Sequence, residues 1–144
     1  PRLSDDVREH VIIAGYGRIG RAVAERLGAA GITWVATDSD PNNVNHARRQ
    51  GRPVFYGDAG RIEVIEALGL AEAKALVIAI NDAEKAVQLA ALVHYVLPET
   101  LILTRAYDDE HAAELRAAGA HLTVPEPTSI GDTMAEALLK ALKP

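Results

Sequence analysis

The sequence predicts an α/β fold, a doubly wound parallel sheet of six strands with helices on both faces. Three observations predict it. Short apolar runs alternate with helix-like segments from Val11 to the C-terminus. The runs are continuous rather than alternating, as in Leu76-Val77-Ile78-Ala79-Ile80, which is the pattern of strands covered on both faces. Glycines at 31, 51, 69 and 119 follow the helical segments, where a left-handed C-terminal cap is wanted. In chain order, strands are expected at residues 11–14, 32–37, 53–56, 75–80, 101–105 and 121–124. Helices are expected at 19–29, 41–50, 61–68, 83–96, 109–118 and 130–143. Asp40 before Pro41 reads as a helix N-cap with proline at the first helical position. Strands joined by right-handed helical crossovers give the strand order 3-2-1-4-5-6.

The 144 residues are expected to form one domain over 1–144, with a polar lead at 1–9 and a C-terminal helical segment at 128–144. Hydrophobic residues make up 49% and only six are aromatic, a palette suited to short buried strands. A net charge of −5 and the lack of any basic block argue against nucleic acid as a partner. The absence of cysteine removes disulfides, zinc-thiolate sites and thiol catalysis. No apolar run is long enough to span a bilayer, and no signal peptide is visible. A start at Pro1 rather than Met suggests a piece of a longer protein.

The first expected strand runs into Gly15-Tyr16-Gly17-Arg18-Ile19-Gly20, a helix follows, and the second strand ends at Asp38. That is a dinucleotide-binding fingerprint inside its βαβ unit, which makes the fold Rossmann-like. Gly15 permits the tight turn, Gly17 lets the backbone approach a phosphate, and Gly20 lets the helix pack on the sheet. Tyr16, Arg18 and Ile19 lie between these glycines, and the helix start that follows offers N–H groups to an anion. Asp38, with Ser39 beside it, stands where a carboxylate accepts hydrogen bonds from ribose hydroxyls. An acid there favours a free 2′-hydroxyl, hence NAD or adenosine phosphates over NADP.

Ligands of such sheets sit beyond the carboxyl ends of the strands. After strand three, Asp58 of Gly57-Asp58-Ala59 is placed to accept from an adenine amino group, to cap the helix beginning near Gly60, or to do both. After strand four, Asn81 and Glu84 fit a capping box, and Asn81 also faces the glycine turn. Arg105 closes an apolar run and needs an anionic partner, which a nucleotide phosphate, Asp82 or Asp108 would supply. Arg18 reads either as a phosphate or partner contact or as a solvated first-turn residue. The five histidines have no metal-ligand spacing, and no catalytic triad is visible.

Taken together, GYGRIG, TDSDP, VFYGDA, AINDAE and TRAYDDEHAAELRAAGA cover nearly the whole chain. The series resembles the RCK domain family, also called KTN or TrkA-N, and most closely the form found on Kef-type potassium/proton antiporters. The resemblance implies a regulatory domain that binds NAD(H) or AMP at the cytoplasmic face of the inner membrane. It implies contacts from Gly15 to Ile19, at Asp38, at Gly57 to Ala59, near Asn81 and at Arg105. It also implies a homodimer through the C-terminal helix, whose Ile130, Met134 and Leu138 recur every fourth residue, and gating of a membrane-embedded transporter domain by the geometry of the pair. Tyr107 departs from the pattern: antiporters gated by glutathione tend to carry a second arginine just after the one matching Arg105. Two other readings stay open, a small NAD-dependent oxidoreductase and the redox-sensing module of a repressor. Short loops and the lack of a substrate-binding domain weigh against the enzyme.

Overall fold

A computed structural model of the chain describes residues 6–126 and 130–143. The first five residues of the expected polar lead, and residues 128, 129 and 144 of the expected C-terminal segment, lie outside the described residues. Six strands, β1 (Val11–Ala14), β2 (Trp34–Asp38), β3 (Val54–Tyr56), β4 (Ala75–Ile78), β5 (Leu101–Ala106) and β6 (Leu122–Pro125), form one sheet. Its order is β3-β2-β1-β4-β5-β6, with every neighbouring pair parallel. The helices are α1 (Arg18–Ala29), α2 (Pro41–Arg49), α3 (Ile62–Ala67), α4 (Ala83–Val96), α5 (Asp109–Ala117) and α6 (Ile130–Ala141). The expected doubly wound fold is the one observed.

Alternation along each strand divides the core into two layers. Ile12, Val35, Leu76, Ile78 and Ile102 pack with Ile65 of α3, Leu89 and Val93 of α4 and Leu115 of α5. On the other face, Val11, Ile13, Ala36, Val54 and Val77 pack with Ala24 of α1 and Val44 and Ala47 of α2. Each fully buried Ile or Leu contributes about 1.5–3 kcal/mol relative to exposure, so the continuous apolar runs drive the fold. Helix α6 differs, because none of its residues is buried.

Two boundaries moved for physical reasons. The expected strand at 32–37 starts only at Trp34, because Ile32 donates its N–H to the Leu27 carbonyl and still belongs to the end of α1. The expected strand at 75–80 leaves the ladder after Ile78, and Ala79 and Ile80 line a cleft instead. Gly69, at φ 80°, ends the α3 segment and starts a 3-10 turn, Leu70–Glu72, that was not anticipated. All four glycines expected at helix ends have positive φ. Asp40 caps α2 as expected, accepting from the Asn42 N–H at 2.9 Å.

Candidate functional site

The carboxyl ends of β1, β2, β3 and β4 open on one cleft of about 290 Å³ at the point where strand order reverses. Its lining is Gly15, Gly17, Asp38, Ser39, Asp58, Ala59, Gly60, Ala79, Ile80, Asn81, Asp82 and Lys85. Seven of these, Gly15, Gly17, Asp38, Ser39, Asp58, Ala59 and Asn81, are residues the sequence had singled out.

The three glycines of the turn differ in what requires them. Gly15 has φ +103°, and a Cβ there would stand 2.8 Å from the Ala79 carbonyl oxygen. A Cβ on Gly20 would stand 2.0 Å from the Gly15 carbonyl oxygen, inside the crossing of α1 over the turn. Both are needed by the fold itself. Gly17 is not. Its φ is −87°, open to any residue, and a Cβ there would meet nothing within 4 Å. The space beside Gly17 is open, and Gly17 is part of the cleft lining. Gly17 is also the N-cap of α1, with no side chain capping it, so the first-turn N–H groups are left for an external acceptor.

Asp38 ties the turn to β2. Its Oδ1 accepts from the Tyr16 N–H at 3.0 Å, and its Oδ2 from the Asp40 N–H at 3.2 Å and the Asn43 amide at 3.3 Å. Such donors stabilise the carboxylate and fix its direction. Tyr16 contributes only backbone to the turn: its side chain is 2% exposed and stacks on Trp34, ring centroids 5.7 Å apart. Its hydroxyl accepts from Arg52 at 3.1 Å, a bond that raises the Arg52 pKa above its usual value. The Arg18 side chain is exposed, and neither it nor Ile19 belongs to the cleft lining.

Three local expectations are corrected. The cap of α4 is Asp82, which accepts from the Lys85 N–H at 3.0 Å, not a box of Asn81 and Glu84. Asn81 is released by this and accepts from the Tyr107 hydroxyl at 2.9 Å. Asp58 does not cap α3, which begins at Ile62 behind an Arg61 N-cap with no side-chain bond. Asp58 closes the loop instead, its Oδ1 accepting from the Gly60 N–H at 2.9 Å. The anionic partner of Arg105 is Glu126 rather than Asp82 or Asp108, which cap α4 and α5. The Arg105 guanidinium also lies 4.5 Å from the Tyr107 ring centre. Arg105 is thus outside the cleft lining, joined to Asn81 through Tyr107.

Sequence reasoning missed Gly60, Ala79, Ile80, Asp82 and Lys85. A signal existed for the last two, which follow β4 at the switch point in the first turn of α4. Among the described residues, no group of three or more His, Cys, Asp and Glu side chains could hold a metal ion, and no helix is long and apolar enough to cross a membrane.

A family model of the TrkA-N domain matches residues 11–126, from the start of β1 to the residue after β6. The chain belongs to the TrkA-N domain family. Among curated relatives, the glutathione-regulated potassium-efflux system protein KefC of Cronobacter sakazakii is 40% identical over 115 residues, which are 80% of this chain. Those residues span only 18% of that relative's length. The TrkA-N domain of the inner membrane protein YbaL from Escherichia coli superposes with a TM-score of 0.78 at 27% identity, covering 96% of this chain and 99% of that one. The Kef C-terminal domain of Shewanella denitrificans, in an AMP-bound form, superposes with a TM-score of 0.71 at 34% identity, covering 93% and 82%. The GsuK channel bound to NAD gives a TM-score of 0.75 at 27% identity, covering 85% of this chain and 22% of that one.

Proposed function

We propose that this TrkA-N domain is the nucleotide-sensing regulatory module of a Kef-type potassium/proton antiporter, acting at the cytoplasmic face of the inner membrane. The single observation that carries the nucleotide is Gly17, a glycine that no clash or backbone strain requires, beside empty space at an uncapped helix start. A phosphate fills that space. The N–H groups and the positive end of α1 hold it without needing an arginine. Asp38 stands one strand away to take the ribose hydroxyls, and Asp58 and Ala59 line the adenine end. The ligand is AMP or NAD(H). The transporter context rests on the identity to a KefC protein and on the AMP-bound Kef neighbour.

The domain carries out no chemistry of its own. It acts through a two-fold pair, and the bound nucleotide shifts the balance between two geometries of that pair by its difference in affinity for them. Helix α6 is the contact, since Ile130, Met134 and Leu138 are 77%, 65% and 59% exposed on one stripe. Titration calorimetry tests the reading directly. AMP and NADH should bind the domain with one site per chain, and Gly17→Val should abolish the heat. A domain that binds neither nucleotide overturns it.

A further inference from the structure

Among the described residues, Lys85 is the one cation in the cleft lining, which also holds the carboxylates of Asp38, Asp58 and Asp82. Asp38 accepts from two backbone N–H groups and the Asn43 amide, and Asp82 from one backbone N–H, that of Lys85. Asp58 has one such donor, the Gly60 N–H on its Oδ1, and its Oδ2 faces Lys85 Nζ at 3.8 Å. The lysine stem lies over Gly60, where an added Cβ would stand 3.2 Å from Lys85 Cδ and 3.6 Å from Lys85 Cβ. The stem therefore bridges the cleft from the first turn of α4 to the β3–α3 loop.

We infer that Lys85 is a positioning residue that sets base specificity, holding the Asp58 carboxylate so that the cleft accepts a 6-amino purine and rejects a 6-oxo purine. This rests on the proposed nucleotide site. A carboxylate has only acceptor positions. With Oδ1 oriented by Gly60 and the charge balanced by Lys85, the remaining lone pairs of Asp58 take a hydrogen bond from an exocyclic amino group. A 6-oxo group in the same place sets oxygen against oxygen and leaves a polar group unpaired under the base. In the open cleft the pair is half-exposed, at 52% and 45%, and is worth little to the fold. Covered by a base, the carboxylate loses water and depends on the lysine.

The test is calorimetry of AMP and inosine 5′-monophosphate on the wild type, Lys85→Met, Lys85→Arg and Asp58→Asn. Methionine keeps the straight stem over Gly60 and removes only the charge. The wild type should prefer AMP by at least about tenfold, the scale of one charge-assisted hydrogen bond. Lys85→Met should weaken AMP by roughly five- to tenfold while changing inosine monophosphate by less than about twofold, and Lys85→Arg should restore the preference. Asp58→Asn, whose amide can donate to a 6-oxo group, should move the preference toward inosine monophosphate. If Lys85→Met weakens both nucleotides equally, or neither, Lys85 does not set base specificity and the inference is wrong while the nucleotide site stands. If the wild type binds neither, the site itself is wrong and this role falls with it.

Discussion

Replacing Gly17 by valine separates the fold from the site, because the structure gives this glycine no folding duty. Its φ of −87° suits valine, and a Cβ would meet no atom within 4 Å. Losing a flexible glycine stabilises the folded state by about 0.4–1 kcal/mol through the unfolded chain. Losing glycine at an N-cap costs a comparable amount, since apolar residues there are disfavoured. The two effects offset, and the stability of the variant should stay within about 1 kcal/mol of wild type. Ligand binding responds differently. The valine methyls occupy the position of the phosphate and remove at least two charge-assisted bonds from the first-turn N–H groups. At about 1.5–3 kcal/mol each, that is a loss of roughly 100-fold to 10⁴-fold. Gly20→Ala is the contrasting control, because its Cβ would lie 2.0 Å from a backbone oxygen and must damage the fold itself. Thermal melting followed by circular dichroism, with calorimetry of AMP, reads both quantities. A Gly17→Val domain that binds AMP within threefold of wild type refutes the phosphate assignment, and one that unfolds with Gly20→Ala refutes the claim that Gly17 is free of structural duty.

Asp38 should make the domain prefer NADH to NADPH by at least tenfold in calorimetry, since a 2′-phosphate about 4 Å from the carboxylate is opposed by roughly 4 kcal/mol at an effective dielectric of 20. Equal binding of the two would sink the ribose assignment. Asp38→Ala should also weaken AMP. Incubation of the domain with NADH and a panel of aldehydes, ketones, quinones and 2-oxoacids should give no oxidation above background, and turnover that depends on Arg105 or Tyr107 would replace the sensor reading with an enzyme. Light scattering should give twice the monomer mass, and the pair Met134→Lys and Leu138→Lys should return it to monomer with AMP binding intact. A wild-type domain that stays monomeric at high concentration, with and without nucleotide, would rule out the dimer.

The parallel sheet was legible because burial on both faces leaves continuous apolar runs such as Leu76-Val77-Ile78, and right-handed crossovers then give the strand order. The ends of the elements were less legible. Asn81 and Asp82 are both good cap residues, and one residue of difference in where α4 begins decides between them. The outcome matters to the site, because the cap is fixed in the helix while Asn81 is turned to Tyr107. The partner of Arg105 was hidden for a different reason. Glu126 reaches it through the β5–β6 register, in which Arg105 lies opposite Val124 and the Glu126 N–H bonds the Ala106 carbonyl. No spacing along the chain announces that pairing.

The site was legible as a backbone and only partly as side chains. Glycine spacing and the acid after β2 report where the chain must turn and where a carboxylate must sit, and both hold. The direction of a loop side chain is set by what lies across the sheet. Tyr16 turns inward because Trp34 offers a stacking face and Arg52 a donor. Helix α6 shows the same limit on a larger scale. Its four-residue apolar period says that the stripe needs a cover without saying whose. Leu122 and Val124 of edge strand β6 are likewise 53% and 52% exposed. Leu122 lies opposite Leu103, which packs with the α1–α2 layer, so this pair of edge side chains belongs to the face that α1 and α2 leave uncovered. An uncovered helix stripe and an uncovered sheet edge on one chain are complementary in kind. The proposed two-fold pair would cover both at once, each copy offering its helix stripe to the sheet edge of the other.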